Sequence, residues 1–247
     1  MVSVDRWQTA QRYERGYWAE QAARIAEGSQ SQLDWYRWRA DQLGARLTRL
    51  GLMHLVDGRA RVVEVGCGPI GVASFFAASE RVAVDPLESF YGADPVLAAL
   101  RDPEVQYRTG KGEQLPCADH AFDLAIIENC IDHVQDIDGV MRELARVLTD
   151  DGVLYLTVNC RTPVGFVVHR ALSRLRLDPG HPHTFTPPRA RALVASYGFE
   201  VLDCSVGSYR RALAEDLRAA GTRGRAKAVL GISEFVTSLV ARRVRRT

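Results

Sequence analysis

Ala60-Arg-Val-Val-Glu-Val-Gly-Cys-Gly-Pro-Ile-Gly71 decides the fold of this chain. Arg61 to Val65 has the β-branched density of a central parallel strand buried on both faces. Gly66, Gly68 and Gly71 follow with G-x-G-x-x-G spacing, in which missing Cβ atoms let a ligand lie against the backbone. Pro69 suits a first helical turn, so the spacing predicts a helix over 70–79. Several nucleotide-binding folds share this pattern, and its neighbours narrow the choice. Glu64 stands at the strand's carboxyl end, and no Lys or Arg occurs between Gly66 and Glu80. A carboxylate without a basic partner suits a ligand bearing an ammonium group better than a pyrophosphate. A second strand, Arg81-Val-Ala-Val-Asp85, ends in an acid placed to accept from ribose hydroxyls. NAD enzymes share that acid, so Asp85 points to an adenosine-type ligand and no further.

Working outward, the chain alternates strand and helix from Arg59, which implies a parallel sheet with right-handed crossovers. Further strands are expected near 104–108, 122–127 and 152–158, and helices near 93–101 and 137–148. A polar, proline-rich stretch, 160–188, interrupts the alternation, and Thr186 before Pro187 reads as the N-cap of a helix to Tyr197. Phe199–Val206 and Glu234–Arg242 read as the last two strands, separated by an Arg- and Ala-rich helical insertion, 207–230. Upstream, Leu43, Leu47 and Leu50 recur at helical spacing. Gly28-Ser-Gln-Ser-Gln32 separates that helix from an earlier one over about 8–26. All four tryptophans (Trp7, Trp18, Trp35, Trp38) lie in this N-terminal region, as packing residues or as a lid, with Tyr17 and Trp18 the preferred lid aromatics.

Val63-Glu-Val-Gly-Cys-Gly-Pro69 and Val84-Asp-Pro86 resemble the first two motifs of the class I S-adenosylmethionine-dependent methyltransferases. Gly112-Glu-Gln-Leu-Pro116, Ala121-Phe-Asp-Leu124, and Glu143–Leu148 followed by Asp151-Gly-Val-Leu154 resemble their later segments, in the family's order and spacing. The resemblance spans roughly residues 55 to 205. It implies an α/β, Rossmann-like seven-stranded sheet, mostly parallel with one antiparallel edge strand and helices on both faces. It further implies a helical cap or lid over 1–56, a methyltransferase domain over 57–247, and an acceptor-pocket loop over 159–188. S-adenosyl-L-methionine is the implied cofactor, held by Glu64, Gly66, Cys67, Gly68, Gly71, Asp85, Pro86, Gly112, Glu113, Glu128, Asn129 and Tyr17. Lys111 departs from the pattern, standing where family members often carry an acid for the adenine amino group.

Methyl transfer from a sulfonium needs alignment and desolvation, and a hydroxyl acceptor also needs its proton removed. His133, in Glu128-Asn-Cys-Ile-Asp-His133, has the right reference pKa for a base, as against a structural role; the adjacent Asp132 would point away if both lay on a helix. His181 and His183 form a second cluster in the later loop, read as structural, as substrate contact or base with His183 the second catalytic candidate, or as metal ligands, for which one H-x-H pair is too few; Asn159 and Arg161 are placed to line that pocket. His54, His120 and His169 are expected to carry no chemistry.

With 32 basic and 30 acidic residues the formal charge is +2, which argues against a nucleic-acid footprint, although an Arg-rich tail runs over 241–247. Five scattered cysteines show no metal-type spacing, so no metal is expected and a reducing compartment is. No signal peptide and no membrane-length apolar run is evident, so the expectation is a cytoplasmic monomer or homodimer without a membrane partner. The leading function is methylation of a small-molecule hydroxyl in a natural product or sugar-like metabolite. The alternatives are an N-directed enzyme, one acting on RNA or protein, and an NAD(P)-dependent oxidoreductase. The last would need a Tyr/Lys pair that a chain with only two lysines, Lys111 and Lys227, does not place.

Overall fold

In the computed structural model, which describes residues 1–28, 34–175, 177–178, 180–219 and 221–244, seven strands build one sheet. They are β1 (Arg61–Val65), β2 (Glu80–Asp85), β3 (Gln106–Thr109), β4 (Phe122–Glu128), β5 (Leu148–Cys160), β6 (Phe199–Val206) and β7 (Phe235–Arg243). Their order is β3-β2-β1-β4-β5-β7-β6; the first five are parallel, and β7 runs antiparallel one place in from the β6 edge. The strand order reverses between β1 and β4, and the crevice outside their carboxyl ends is where an open α/β sheet takes its ligand.

The nine helices among the described residues are α1 (Val4–Ala26), α2 (Trp35–Arg49), α3 (Glu88–Ala93), α4 (Pro95–Ala98), α5 (Ile137–Val147), α6 (Pro163–Arg174), α7 (Pro187–Ser196), α8 (Tyr209–Arg218) and α9 (Thr222–Val229). Strand side chains alternate between two cores, as a period of two requires. Val63, Val65, Ala125, Ile127, Leu154 and Leu156 share one core with α5 and α7. Val62, Leu124, Ile126, Val153 and Tyr155 share the other with α2 and with Tyr91 and Leu97 of α3 and α4.

Tyr36, Ala40, Leu43 and Leu47 form the buried stripe of α2, spaced for one helix face, and Leu43 and Leu47 are fully buried. This helix is therefore a layer of the sandwich, and α1 crosses the cavity mouth while burying Trp18 and Ala22 in the same core. Ser3 caps α1, accepting from the Arg6 N–H. The expected separator over 28–32 falls, from residue 29, outside the described residues, as does the end of the Arg-rich tail, 245–247.

The helix expected over 70–79 is absent; a single 3-10 turn, Val72–Phe75, stands there. Gly71 has φ +83° and ψ 147°, which no helix contains, and Phe76 is already extended. The carboxylate of Glu64 accepts from the N–H groups of Val72 and Ala73 (2.9 and 2.7 Å) and so finishes the turn from beneath. α2 packs against this turn and fills the space of the missing helix. The helix expected over 93–101 is likewise split, α3 and α4 meeting at Asp94, whose side chain caps the second. α6 was not expected within 160–188, although Thr162 before Pro163 is its N-cap. Two short helices, α8 and α9, occupy the insertion before β7. Among the described residues no helix is long and apolar enough to cross a membrane.

Candidate active site

A cavity of about 210 Å³ opens at the reversal point of the sheet. Its floor is the loop Gly66–Gly68; Asp85, Pro86 and Leu87 form one wall, and Glu128, Asn129, Cys130 and His133 the other. Its roof comes from α1 (Gln11, Glu14, Tyr17, Trp18) and α2 (Trp35, Tyr36, Arg39). A Cβ at Gly68 would collide with the Tyr36 hydroxyl, so glycine is what lets the roof lie on the loop. That hydroxyl donates to the Cys67 carbonyl (3.2 Å), and Trp18, which donates through Nε1 to Glu14 (2.8 Å), stacks on the Tyr36 ring.

The loop is held from below by two buried acids. Glu64 spends both oxygens on the 3-10 turn, and burial pushes its carboxyl up to about 8 against the pull of those two N–H groups. Asp85 accepts from Gly68 N–H (3.0 Å) and Leu87 N–H (2.8 Å), and burial pushes it up to about 6. Arg101, which the sequence reading did not single out, braces the same loop by donating to the Pro69 carbonyl.

Across the cavity, Glu128 and Asn129 are oriented by the end of β4. Asn129 has φ +47°, and its N–H is held by Thr157. Glu128 Oε2 and Asn129 Oδ1 are buried with no hydrogen-bond partner among the described residues. Burial pushes Glu128 up to about 7, with Arg39, 3.7 Å away, pulling the other way. Arg39 is a cation that the reading of the glycine loop did not foresee.

A second, smaller cavity of about 30 Å³ adjoins the first, between Gly66, Pro86, Gly112, Cys130 and Trp7. Lys111 also lines this cavity, its ammonium 4.0 Å over the Trp7 ring. Glu113 lines this cavity, but its Oε1 accepts from the N–H groups of Gln135 and Asp136 at the start of α5. Gly71 lies behind the loop, where a Cβ would come 2.9 Å from Glu64 Oε2, and lines neither cavity.

The two histidine candidates part company. His133 lines both cavities. His183 instead lines an open groove of about 960 Å³ beyond α1, and its Nε2 donates to the Val134 carbonyl (2.9 Å). Burial holds its imidazole below the usual histidine range. The ring that meets His133 belongs to His181, with centroids 4.7 Å apart. Asp132 and His133 lie in a turn, not on a helix, so these neighbours converge, with Asp132 Oδ1 3.8 Å from His133 Nε2. His181 Nδ1 bonds to Asp178, which also bonds to His169 Nε2 (2.8 Å). Burial works against charge on Asp178, but those two imidazoles hold it well below the usual carboxylate range.

The strand order, the glycine loop after β1, the acid after β2 and the crevice between β1 and β4 now coincide with what known proteins show. Residues 63–156 match the family model described as a methyltransferase domain. Over that part the chain is similar to class I S-adenosylmethionine-dependent methyltransferases. An uncharacterized methyltransferase of Bacillus subtilis, YcgJ, is 32% identical to this chain over 155 residues, 58% of this chain and 60% of that protein. The ubiquinone biosynthesis O-methyltransferase of Rhizobium etli is 26% identical over 152 residues, 58% and 61% of the two chains. The chain thus spans about three fifths of the length of these relatives. Among solved structures, geranyl diphosphate C-methyltransferase of Streptomyces coelicolor, determined with Mg2+, geranyl diphosphate and S-adenosylhomocysteine, shares the fold. Its TM-score is 0.60 at 16% identity, over 83% of this chain and 82% of that one.

Proposed function

We propose that this chain transfers a methyl group from S-adenosylmethionine to a hydroxyl of a small natural-product or sugar-like molecule. One observation carries the cofactor half of this reading: the cavity wall at Glu128 and Asn129 presents buried oxygens with no hydrogen bond among the described residues, Glu128 having only Arg39 at 3.7 Å beside it. Such a wall suits an ammonium and a sulfonium and repels a pyrophosphate. The glycine loop agrees, since the N–H groups that a phosphate would need at the 3-10 turn are already occupied by Glu64. Asp85 keeps lone pairs free on both oxygens and takes the ribose hydroxyls. The backbone of Gly66, Cys67 and Gly68 lies under the ligand, and Pro86 and Gly112 border the adenine. That cavity has room for only a few water molecules, so Trp7 and α1 move outward to admit the base and close over it. Tyr17 and Trp18 complete that lid.

When bound, S-adenosylmethionine supplies the electrophilic methyl carbon, which leaves the chain to align the acceptor, exclude water and dispose of one proton. The proton is lost at the corner of Asp132, His133 and His181, of which His133 is the catalytic member lining the cavity. The O-methyltransferase relatives support oxygen over nitrogen as the accepting atom. Calorimetric titration with S-adenosylhomocysteine and, separately, NADH tests the reading. One-to-one binding of the first alone is expected; binding of NADH, or of neither, overturns it.

A further inference from the structure

We infer that Asp132, His133 and His181 form a binding site for one divalent first-row transition-metal cation at the acceptor end of the cavity. The donor set is two imidazole nitrogens and one carboxylate oxygen, all within 4.8 Å of one another. Asp132 is the decisive member. Its residue is 1% exposed, and neither carboxylate oxygen has a hydrogen-bond partner among the described residues. A buried carboxylate left without donors is costly, and proteins resolve that cost with a cation or a set of hydrogen bonds. The cations borne by the neighbouring segments are engaged elsewhere: Arg161 and Lys227 both pair with Glu234.

The imidazoles are arranged as ligands. His181 Nδ1 is held by the Asp178 carboxylate at 3.0 Å, which leaves Nε2 as its free donor. A carboxylate behind the far nitrogen is the support that fixes the tautomer and ring angle of a metal-ligating histidine. Asp178 is itself anchored by His169, whose other nitrogen bonds to Thr184 (2.7 Å), so the support is rigid. His133 turns Nε2 toward Asp132, and its ring borders the cofactor cavity. Metal–donor bonds are about 2.0–2.2 Å, so the three donors reach one ion by modest side-chain rotations. Two nitrogens and one oxygen select zinc, iron or cobalt over magnesium, which prefers all-oxygen shells, and three protein ligands leave positions open for the acceptor.

The inference deepens the methyltransferase reading and rests on it. An acceptor hydroxyl bound to the cation gives its proton to solvent water, and its oxygen lone pair then forms the bond to the methyl carbon as the carbon–sulfur bond breaks. His133 in this arrangement is a ligand. No metal was expected from the sequence, because residues 132 and 133 are far from 181 along the chain and only the fold brings them together.

The test is titration of the chelator-treated full chain with Co2+, read by visible absorption. Ligand-field bands saturating at one equivalent, displaced by Zn2+ and not by Mg2+, are expected, as is their loss in Asp132→Asn and His181→Ala but not in His120→Ala. Absent bands, or bands unchanged in both site variants, overturn the proposal. Should the variants fail to fold, the Co2+-loaded wild-type protein decides through its paramagnetically shifted imidazole N–H signals: two support the site, and fewer than two overturn it. S-adenosylhomocysteine binding measured in parallel separates the two readings, since its loss in the wild type strikes the methyltransferase assignment and leaves the metal result standing.

Discussion

Asp85 connects the glycine loop to the ligand, because its carboxylate accepts from Gly68 N–H and Leu87 N–H while bordering the cavity. Asp85→Ala removes a charge-assisted acceptor worth ~1.5–3 kcal/mol, so S-adenosylhomocysteine affinity should fall roughly 10–100-fold by calorimetry. Unchanged affinity would place the ribose elsewhere. Glu128 predicts a pH dependence. Burial pushes its carboxyl up to about 7, so in the free protein much of it is protonated near neutrality. A cationic ligand favours the carboxylate, so binding releases a proton, and affinity rises with pH until Glu128 is fully ionised. S-adenosylmethionine should therefore bind more tightly at pH 8 than at pH 6, and Glu128→Gln should flatten that slope. A flat wild-type profile would detach Glu128 from the cofactor. Both residues were legible in the sequence, since a strand-end position fixes a side chain at the crevice. Arg39 and Tyr36 were not, since nothing in a helix's own periodicity says which strand loop it will cover.

At the scale of elements, α1 and α2 answer differently to damage. Leu43 is fully buried in the core shared with β1 and β4, so Leu43→Ala should cost ~2–5 kcal/mol in chemical denaturation. Trp7 rests its ring under the Lys111 ammonium beside the smaller cavity. An exposed cation–π contact is worth only ~0.5–1 kcal/mol, so Trp7→Ala should leave stability nearly intact. Its effect should instead appear as faster release of S-adenosylhomocysteine in stopped flow, because α1 then closes less firmly. Equal stability losses in the two variants would make α1 core as well, and no lid. The N-terminal tryptophans showed in the sequence that this region is aromatic, but not which helix was core. The helix that failed to form after the glycine loop has a local cause: Gly71 takes a left-handed φ, and Glu64 occupies the N–H groups of the turn. A short 3-10 turn and a helix look alike in a small-residue run such as Val72-Ala-Ser, so the pattern could not separate them.

On the scale of the whole molecule, the strands and the mostly parallel sheet were legible because each strand carries its own apolar pattern and strand alternates with helix along the chain. The Asp132–His133–His181 corner was not, because it depends on how the 160–188 segment folds back over the β4 end, where His183 N–H donates to the Asp132 carbonyl. The same arrangement predicts how ligand binding spreads through the molecule. The cavity touches the sheet, α1 and α2 together, so a ligand bound there adds to the hold that Trp18 and Ala22 already give α1 on the core. Binding to the folded state alone stabilises by ~2.7 kcal/mol at a hundredfold excess over Kd. For a domain of this size ~1 kcal/mol moves the melting midpoint by about 2–4 °C, so S-adenosylhomocysteine should raise it by roughly 5–10 °C. Amide hydrogen exchange should then resolve where that gain arises. Leu43 and Leu47 in α2 are buried without ligand and should exchange slowly in both states, whereas α1 should gain protection on binding. Protection gained equally in α1 and α2 would mean that the two helices open as one unit, and the lid would then have to be drawn to include both.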